Sequence, residues 1–277
     1  MSKASNLPPL RDVIAAHGLA TKKSLGQHFL LDPNLLAKIA RSAGDLSGVE
    51  VIEIGPGPGG LTRALLETNA RHVTALEKDS RCIAALAPLL DHYAGRFALR
   101  EQDALKIDIN TIGEAPRVVV SNLPYNVGTA MIVQWLEHAA QHGNAMLQGF
   151  TVMLQKEVAE RLVAEPGSNH YGRLSVLMHL LTDSALLFDV PPGAFSPPPK
   201  VMSSIIRARF LAKPRFEVAV PQLEKITAAA FGQRRKMLRQ SLKPLGGEAL
   251  CNKAGIDPTL RPEQCNLEMF VALANAL

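Results

Sequence analysis

Between residues 49 and 154 short apolar runs alternate with stretches whose apolar positions recur at helical spacing. Residues 49–55 (VEVIEIG) are a compact apolar run, which predicts a buried strand, and residues 60–68 predict a helix. The same reading predicts strands at 73–77, 97–101, 118–121 and 150–154, with helices at 80–90 and 127–140. Apolar strands alternating with helices build a mainly parallel sheet covered on both faces, so the expected fold class is α/β, doubly wound. Right-handed crossovers then place the strand C-termini along one edge, where ligands bind.

Residues 190–200 (VPPGAFSPPPK) carry five prolines. Proline fixes φ and removes donors, so a rigid extended link is expected there. Residues 203–210 alternate and predict a late strand of the first domain; from residue 221 onward the pattern is helical, punctuated by Gly246, Gly247 and Pro258. The expected organisation is one domain over 1–210, opening on a basic arm over 1–41, and a small helical domain over 211–277. No internal repeat or low-complexity tract is visible.

Composition narrows this picture. Of 277 residues, 47% are hydrophobic and 20% charged, enough apolar material for a sizeable core. No run of about 18 apolar residues occurs, so no membrane association is expected. Residues 1–23 lack an apolar signal core, so export is not expected either. Cys82, Cys251 and Cys265 are widely spaced, which fits a reducing cytoplasm and no disulfide framework. Of the eight histidines only His138 and His142 stand four apart, and no further ligand pattern joins them, so no metal is expected. The net charge of +5 is uneven: six basic against two acidic residues over 1–41, eleven against seventeen over 42–190, and thirteen against six over 191–277. Basic ends around an acidic middle suggest a polyanion gripped from two sides and a neutral or cationic small ligand between them, although basic ends also simply aid solubility.

The first predicted strand runs into Gly55-Pro56-Gly57-Pro58-Gly59-Gly60, with Glu53 two residues before the first glycine. Glycines let a ligand lie against the backbone. Glu77 ends the second strand, where an acid can accept hydrogen bonds from both ribose hydroxyls of a nucleoside. Asp103 follows the third strand and could hold an adenine amino group. The pattern resembles the S-adenosyl-L-methionine (SAM) enzymes more closely than a dinucleotide site. Pro56 and Pro58 remove two donors that a pyrophosphate would use.

The fourth strand ends in Ser121-Asn122-Leu123-Pro124-Tyr125-Asn126. An exocyclic base amine is a poor nucleophile because its lone pair is delocalised into the ring. The Asn122 side-chain oxygen and a neighbouring backbone carbonyl can accept its two N–H hydrogens and favour a pyramidal nitrogen. Tyr125 can stack on the base. The bland reading is a strand-ending turn rich in Asn and Pro.

These motifs resemble the bacterial 16S rRNA adenine dimethyltransferases, the small-subunit dimethyladenosine transferase family. The resemblance runs through residues 23–30 (KSLGQHFL), 53–57, 122–126, 153–158 (MLQKEV), 171–175 (YGRLS), 191–201 and 231–235, nearly the whole chain. It implies a Rossmann-like class I SAM-dependent methyltransferase sheet with a small C-terminal helical domain. It also implies transfer of two methyls to N6 of each of two adjacent adenosines in the 3′-terminal hairpin loop of 16S rRNA, within the assembling 30S subunit, by a monomer. Cofactor contacts are implied at Gln27, His28, Leu30, Gly55, Gly57, Glu77, Lys78, Asp103, Ala104 and Asn122. Asn122, Leu123 and Tyr125 are the implied catalytic set, with Phe195 sandwiching the target adenine against Tyr125. The chain departs from the family at His28, usually Asn, and at Ser121, often Gly.

Residues 232–243 (GQRRKMLRQSLK) read as a basic amphipathic helix, with Phe231, Leu238 and Leu242 on one apolar stripe and Arg235 and Arg239 sharing a face. Arg234, Arg235, Lys236 and Arg239 suit RNA phosphates, as do Lys22 and Lys23 near the cofactor entrance. Other readings stand beside this one: an adenine N6-methylase of 23S rRNA or DNA, a non-catalytic rRNA-binding assembly factor, and an NAD dehydrogenase, which leaves the Asn122–Tyr125 turn unexplained.

Overall fold

The computed structural model describes residues 7–19, 28–125 and 127–277. The chain opens with α1 (Leu10–Ala16), the short strand β1 (Phe29–Leu30) and α2 (Pro33–Ser42). At the start of α2 the Asp32 carboxylate accepts from the Asn34 amide at 2.9 Å and Pro33 takes the first turn, which supplies a start signal. Residues expected to form a basic arm thus hold two helices and a strand.

The alternating core follows: β2 (Glu50–Ile54), α3 (Gly60–Leu66), β3 (His72–Glu77), α4 (Ser80–His92), β4 (Phe97–Glu101), β5 (Arg117–Asn122), α5 (Gly128–His142) and β6 (Leu147–Gln155). Every residue of β2 is buried, as a strand covered on both faces requires. Beyond β6 come α6 (Lys156–Leu162), α7 (Arg173–Leu181), β7 (Thr182–Val190), β8 (Phe195–Ser196) and β9 (Ser203–Phe210). The helices α8 (Val220–Gly232), α9 (Leu238–Ser241), α10 (Gly247–Ala254) and α11 (Leu267–Ala276) complete the chain.

Seven strands form one sheet in the order β4-β3-β2-β5-β6-β9-β7. The first five pair in parallel, and β9 runs antiparallel to β6. The chain winds outward from β2 through β3 to β4, then returns to the other side of β2 at β5. That reversal is the switch point of a doubly wound sheet, where the loops after two neighbouring strands diverge and leave a crevice. The glycine loop follows β2 and the Asn122 turn ends β5, so both face that crevice.

The chain divides into two compact units. One holds Met1–Gln134, Asn144–Lys156 and Ala185–Arg209; the other holds Trp135–Gly143, Glu157–Ser184 and Phe210–Leu277. In the second, Tyr171, Phe231 and Phe270 pack ring against ring, with centroids 5.8 Å and 5.4 Å apart.

Two expectations fail. The proline-rich stretch is not a bare link: it makes a short 3₁₀ turn (Pro192–Ala194), and β8 pairs antiparallel with β1, Leu30 opposite Phe195. Pro197 follows β8 directly, and before it the Ala194 amide is used by the 3₁₀ turn, donating to the Pro191 carbonyl at 3.0 Å, so β8 is held to two residues. The basic helix over 232–243 is broken as well. α8 stops at Gly232, and Gln233 leaves the helical region at φ −130° and ψ 50°. Arg234 then donates to the carbonyls of Asn169 and Ser168 at 2.6 and 2.9 Å, while the Leu238 amide donates to Leu260. These long-range bonds outweigh helical periodicity, so Arg235 and Arg239 do not share one helix.

Candidate functional site

A cavity of about 410 Å³ opens at the C-terminal edge of β2, β3, β4 and β5. Gly55, Gly57, Glu77 and Lys78 line it, and so do Asp103, Ala104, Asn122 and Leu123. His28 and Leu30 close one side, with Tyr125 and Phe195 beside them. The fold thus brings together residues that the sequence singled out from six separate stretches. Gln27, Lys22 and Lys23 lie outside the described residues. Arg234, Arg235, Lys236 and Arg239 do not line this cavity.

The glycine loop holds its shape through positive φ values, 63° at Gly55 and 54° at Gly57. A Cβ on Gly57 would come within 3.1 Å of the Phe29 ring, so backbone strain and crowding both demand glycine there. The loop is tied to the ligand wall by Glu77. Its Oε2 accepts from the Gly57 amide at 3.2 Å, and its Oε1 accepts from the amides of Lys78 and Asp79 at 2.8 and 2.9 Å. A carboxylate offers roughly four acceptor positions, so with three amides bound Glu77 has capacity left for a ligand donor. Asp103 is similarly fixed: its Oδ1 caps the turn Ala104–Lys106 by accepting from Leu105 at 3.1 Å, and its other oxygen accepts no hydrogen bond among the described residues.

Glu53, which the sequence places beside the glycine loop without a role, is the strongest electrostatic feature of the wall. It is 1% exposed, and its Oε2 finds no hydrogen-bond partner among the described residues. Burial, reinforced by the negative charge of Glu77, pushes its carboxyl up to about 8. Thr62 lies close enough to oppose that rise in part. The carboxyl groups of Glu77 and Asp103 on the same wall favour a ligand that brings hydrogen-bond donors or positive charge. A pyrophosphate would meet repulsion there. A nucleoside carrying a sulfonium and an ammonium fits.

Three rings stand at the mouth. The His28 ring lies 6.1 Å from Tyr125, tilted by 32°, and 6.5 Å from Phe195, nearly edge-on at 80°. His28 Nδ1 donates to the Pro197 carbonyl at 2.8 Å. A carbonyl only accepts, so this bond places the proton on Nδ1. Phe195 is 5% exposed and belongs to the core, yet it also lines the cavity. Tyr125 is half-buried, its hydroxyl shares a hydrogen bond with Ser203 Oγ at 2.7 Å, and burial raises its pKa. Sequence reasoning missed Ser203, because nothing local connects two residues 78 positions apart.

A family model described as "Ribosomal RNA adenine dimethylase" matches residues 18–277. The chain is 56% identical to "Ribosomal RNA small subunit methyltransferase A" of Agrobacterium fabrum over the full length of both. It is 55% identical to the protein of that name from Mesorhizobium japonicum, with 98% of each covered. The crystal structure of the 23S rRNA methyltransferase ErmE superposes with a TM-score of 0.69 at 27% identity, covering 90% of this chain and 99% of that one. A dimethyladenosine transferase from Plasmodium falciparum superposes with a TM-score of 0.72 at 24% identity, covering 89% and 96%, a likeness of fold.

Proposed function

The chain belongs to the ribosomal RNA adenine dimethylase family, and from that premise we propose that it is a SAM-dependent enzyme that dimethylates N6 of two adjacent adenosines in the 3′-terminal hairpin loop of 16S rRNA. It acts in the cytoplasm, as a monomer, on the assembling 30S subunit. One observation carries this reading: the Asn122–Tyr125 turn and the glycine loop meet in one cavity whose wall presents Glu53, Glu77 and Asp103.

When bound, SAM supplies an electrophilic methyl on a sulfonium. Glu77 offers its remaining acceptor capacity to a ribose hydroxyl, and Asp103 its other oxygen to the adenine amino group. Glu53 meets the cationic end. On the target side, the Asn122 side-chain oxygen and the Leu123 carbonyl accept the two N6 hydrogens. The nitrogen lone pair is thereby turned out of the ring and toward the methyl. With SAM in place, the methyl would pass from the sulfonium, which would leave as a neutral thioether, to the nitrogen that Asn122 and Leu123 hold, and that nitrogen would give up one proton to solvent. Positioning and electrostatics drive the step, so a strong base is not required before transfer.

Tyr125 and Phe195 offer aromatic surface to the base. A base paired in a duplex cannot reach such a crevice; a loop base extrudes at a cost of a few kcal/mol, which stacking offsets. Arg235, Lys236 and Arg239 are exposed and free to meet phosphate. Arg234 is engaged with carbonyls and supports the turn at 168–169.

The test is product analysis. Purified protein and labelled SAM are mixed, in parallel reactions, with small and with large subunits lacking the modification, and both nucleosides and nuclease fragments are resolved by mass spectrometry. N6,N6-dimethyladenosine at two adjacent positions is expected. Label appearing only in large-subunit rRNA would favour the reading that ErmE's likeness supports.

A further inference from the structure

We propose that Ser203 is a positioning residue for the reaction, fixing where the Tyr125 ring lies so that the ring can meet the target base. The proposal rests on the base methylation described above.

Tyr125 sits on the turn that follows β5, just after Pro124. Ser203 opens β9, with its backbone opposite Gln155 of β6. Because β6 lies between β5 and β9, and strands are about 4.8 Å apart, the phenol must reach across a whole strand to be held. It does so: its oxygen lies 2.7 Å from Ser203 Oγ. The anchor itself is rigid. Ser203 is 0% exposed, and its neighbour Ser204 donates to Asp189 at 2.7 Å on the opposite face of the strand. Asp189 is in turn paired with Lys156 at 2.5 Å. The serine is thus clamped by ladder bonds and by its neighbour's ion-pair network.

A tyrosine side chain has three staggered wells about its Cα–Cβ bond, and moving between them swings the whole ring. The phenol oxygen lies at the far end of the ring axis, so a hydrogen bond there holds that axis in one well. Stacking depends on ring orientation, so loss of the tether should spread Tyr125 over poses in which the base amine misses Asn122.

The experiment compares Ser203→Ala, Tyr125→Phe and the double variant in the full chain. Each single variant is expected to lower kcat on undermethylated small subunits by about two- to tenfold, the size of one hydrogen bond. The double variant should lose no more than either single one, since both remove the same bond. SAM affinity measured by calorimetry should stay within about twofold. A second readout is independent of turnover. The chain has three tyrosines, Tyr93, Tyr125 and Tyr171, so ring-labelled protein gives three assignable NMR signals. Ser203→Ala should shift the signal that Tyr125→Phe removes and leave the other two in place.

Losses that multiply in the double variant, a proportional loss of SAM affinity in Ser203→Ala, or an unmoved Tyr125 signal would each overturn the positioning role. A wild-type chain that leaves adenine unmethylated overturns the function reading and this role with it; an intact ring-signal response then shows that the fault lay with the reaction.

Discussion

Glu53 is an acid whose folded form holds its proton far above its ordinary value near 4.5, to about 8. The sign follows from linkage. Between those two values the unfolded chain has released this proton and the folded chain has not, so this group makes stability fall as pH rises across that window. Glu53→Gln should flatten that portion of the melting-temperature profile, measured by calorimetry against pH. A cationic ligand favours the ionised carboxyl, so SAM binding should release a proton and tighten toward pH 8 in the wild type. Titrations in buffers of different ionisation enthalpy should show that release, and Glu53→Gln should lack it. Asn122 acts on the other side of the cavity. Asn122→Ala removes an acceptor used in the transition state, and turnover should drop about 100-fold or more, with RNA affinity retained in a filter-binding assay. An equal loss of RNA affinity would show that Asn122 holds substrate without activating it.

The short elements at the cavity's rim depend on one another. β8 has only two residues, and its order comes from pairing with β1 and from the burial of Phe195. Phe195→Ala should cost about 3 kcal/mol or more in denaturant unfolding, the usual loss for a buried aromatic. Phe195→Leu should recover most of that stability through its retained apolar volume but not the turnover, because it lacks a flat face to offer the base. If Phe195→Leu is fully active, the ring is a core anchor and no more. The break between α8 and α9 separates arginines that a continuous helix would have treated alike. Arg234→Ala should lower stability, since two carbonyls lose their donor. Joint neutralisation of Arg235, Lys236 and Arg239 should leave stability nearly unchanged and weaken RNA binding. The slope of log K against log salt should then fall by about 0.7–0.9 for each phosphate no longer neutralised.

Across the whole molecule, charge and chemistry are divided along the chain: an acidic middle builds the cavity wall, and basic residues are concentrated toward both ends. None of the described helices is long and apolar enough to cross a membrane. Much of this is legible in the sequence. The strand at 97–101 and the late strand at 203–210 fall at the bounds that the pattern predicts, because strand periodicity and apolar runs are local signals. The glycine loop and the turn at Asn122 are likewise legible, because the motifs themselves impose tight turns at strand ends. The pairing of β1 with β8, the break after Gly232, the orphaned oxygen of Glu53 and the bond from Ser203 to Tyr125 are not. Each joins groups far apart in sequence, or depends on which partners a side chain fails to find. Periodicity carries no information about either; only the folded sheet, by excluding water and bringing distant strand ends together, decides them.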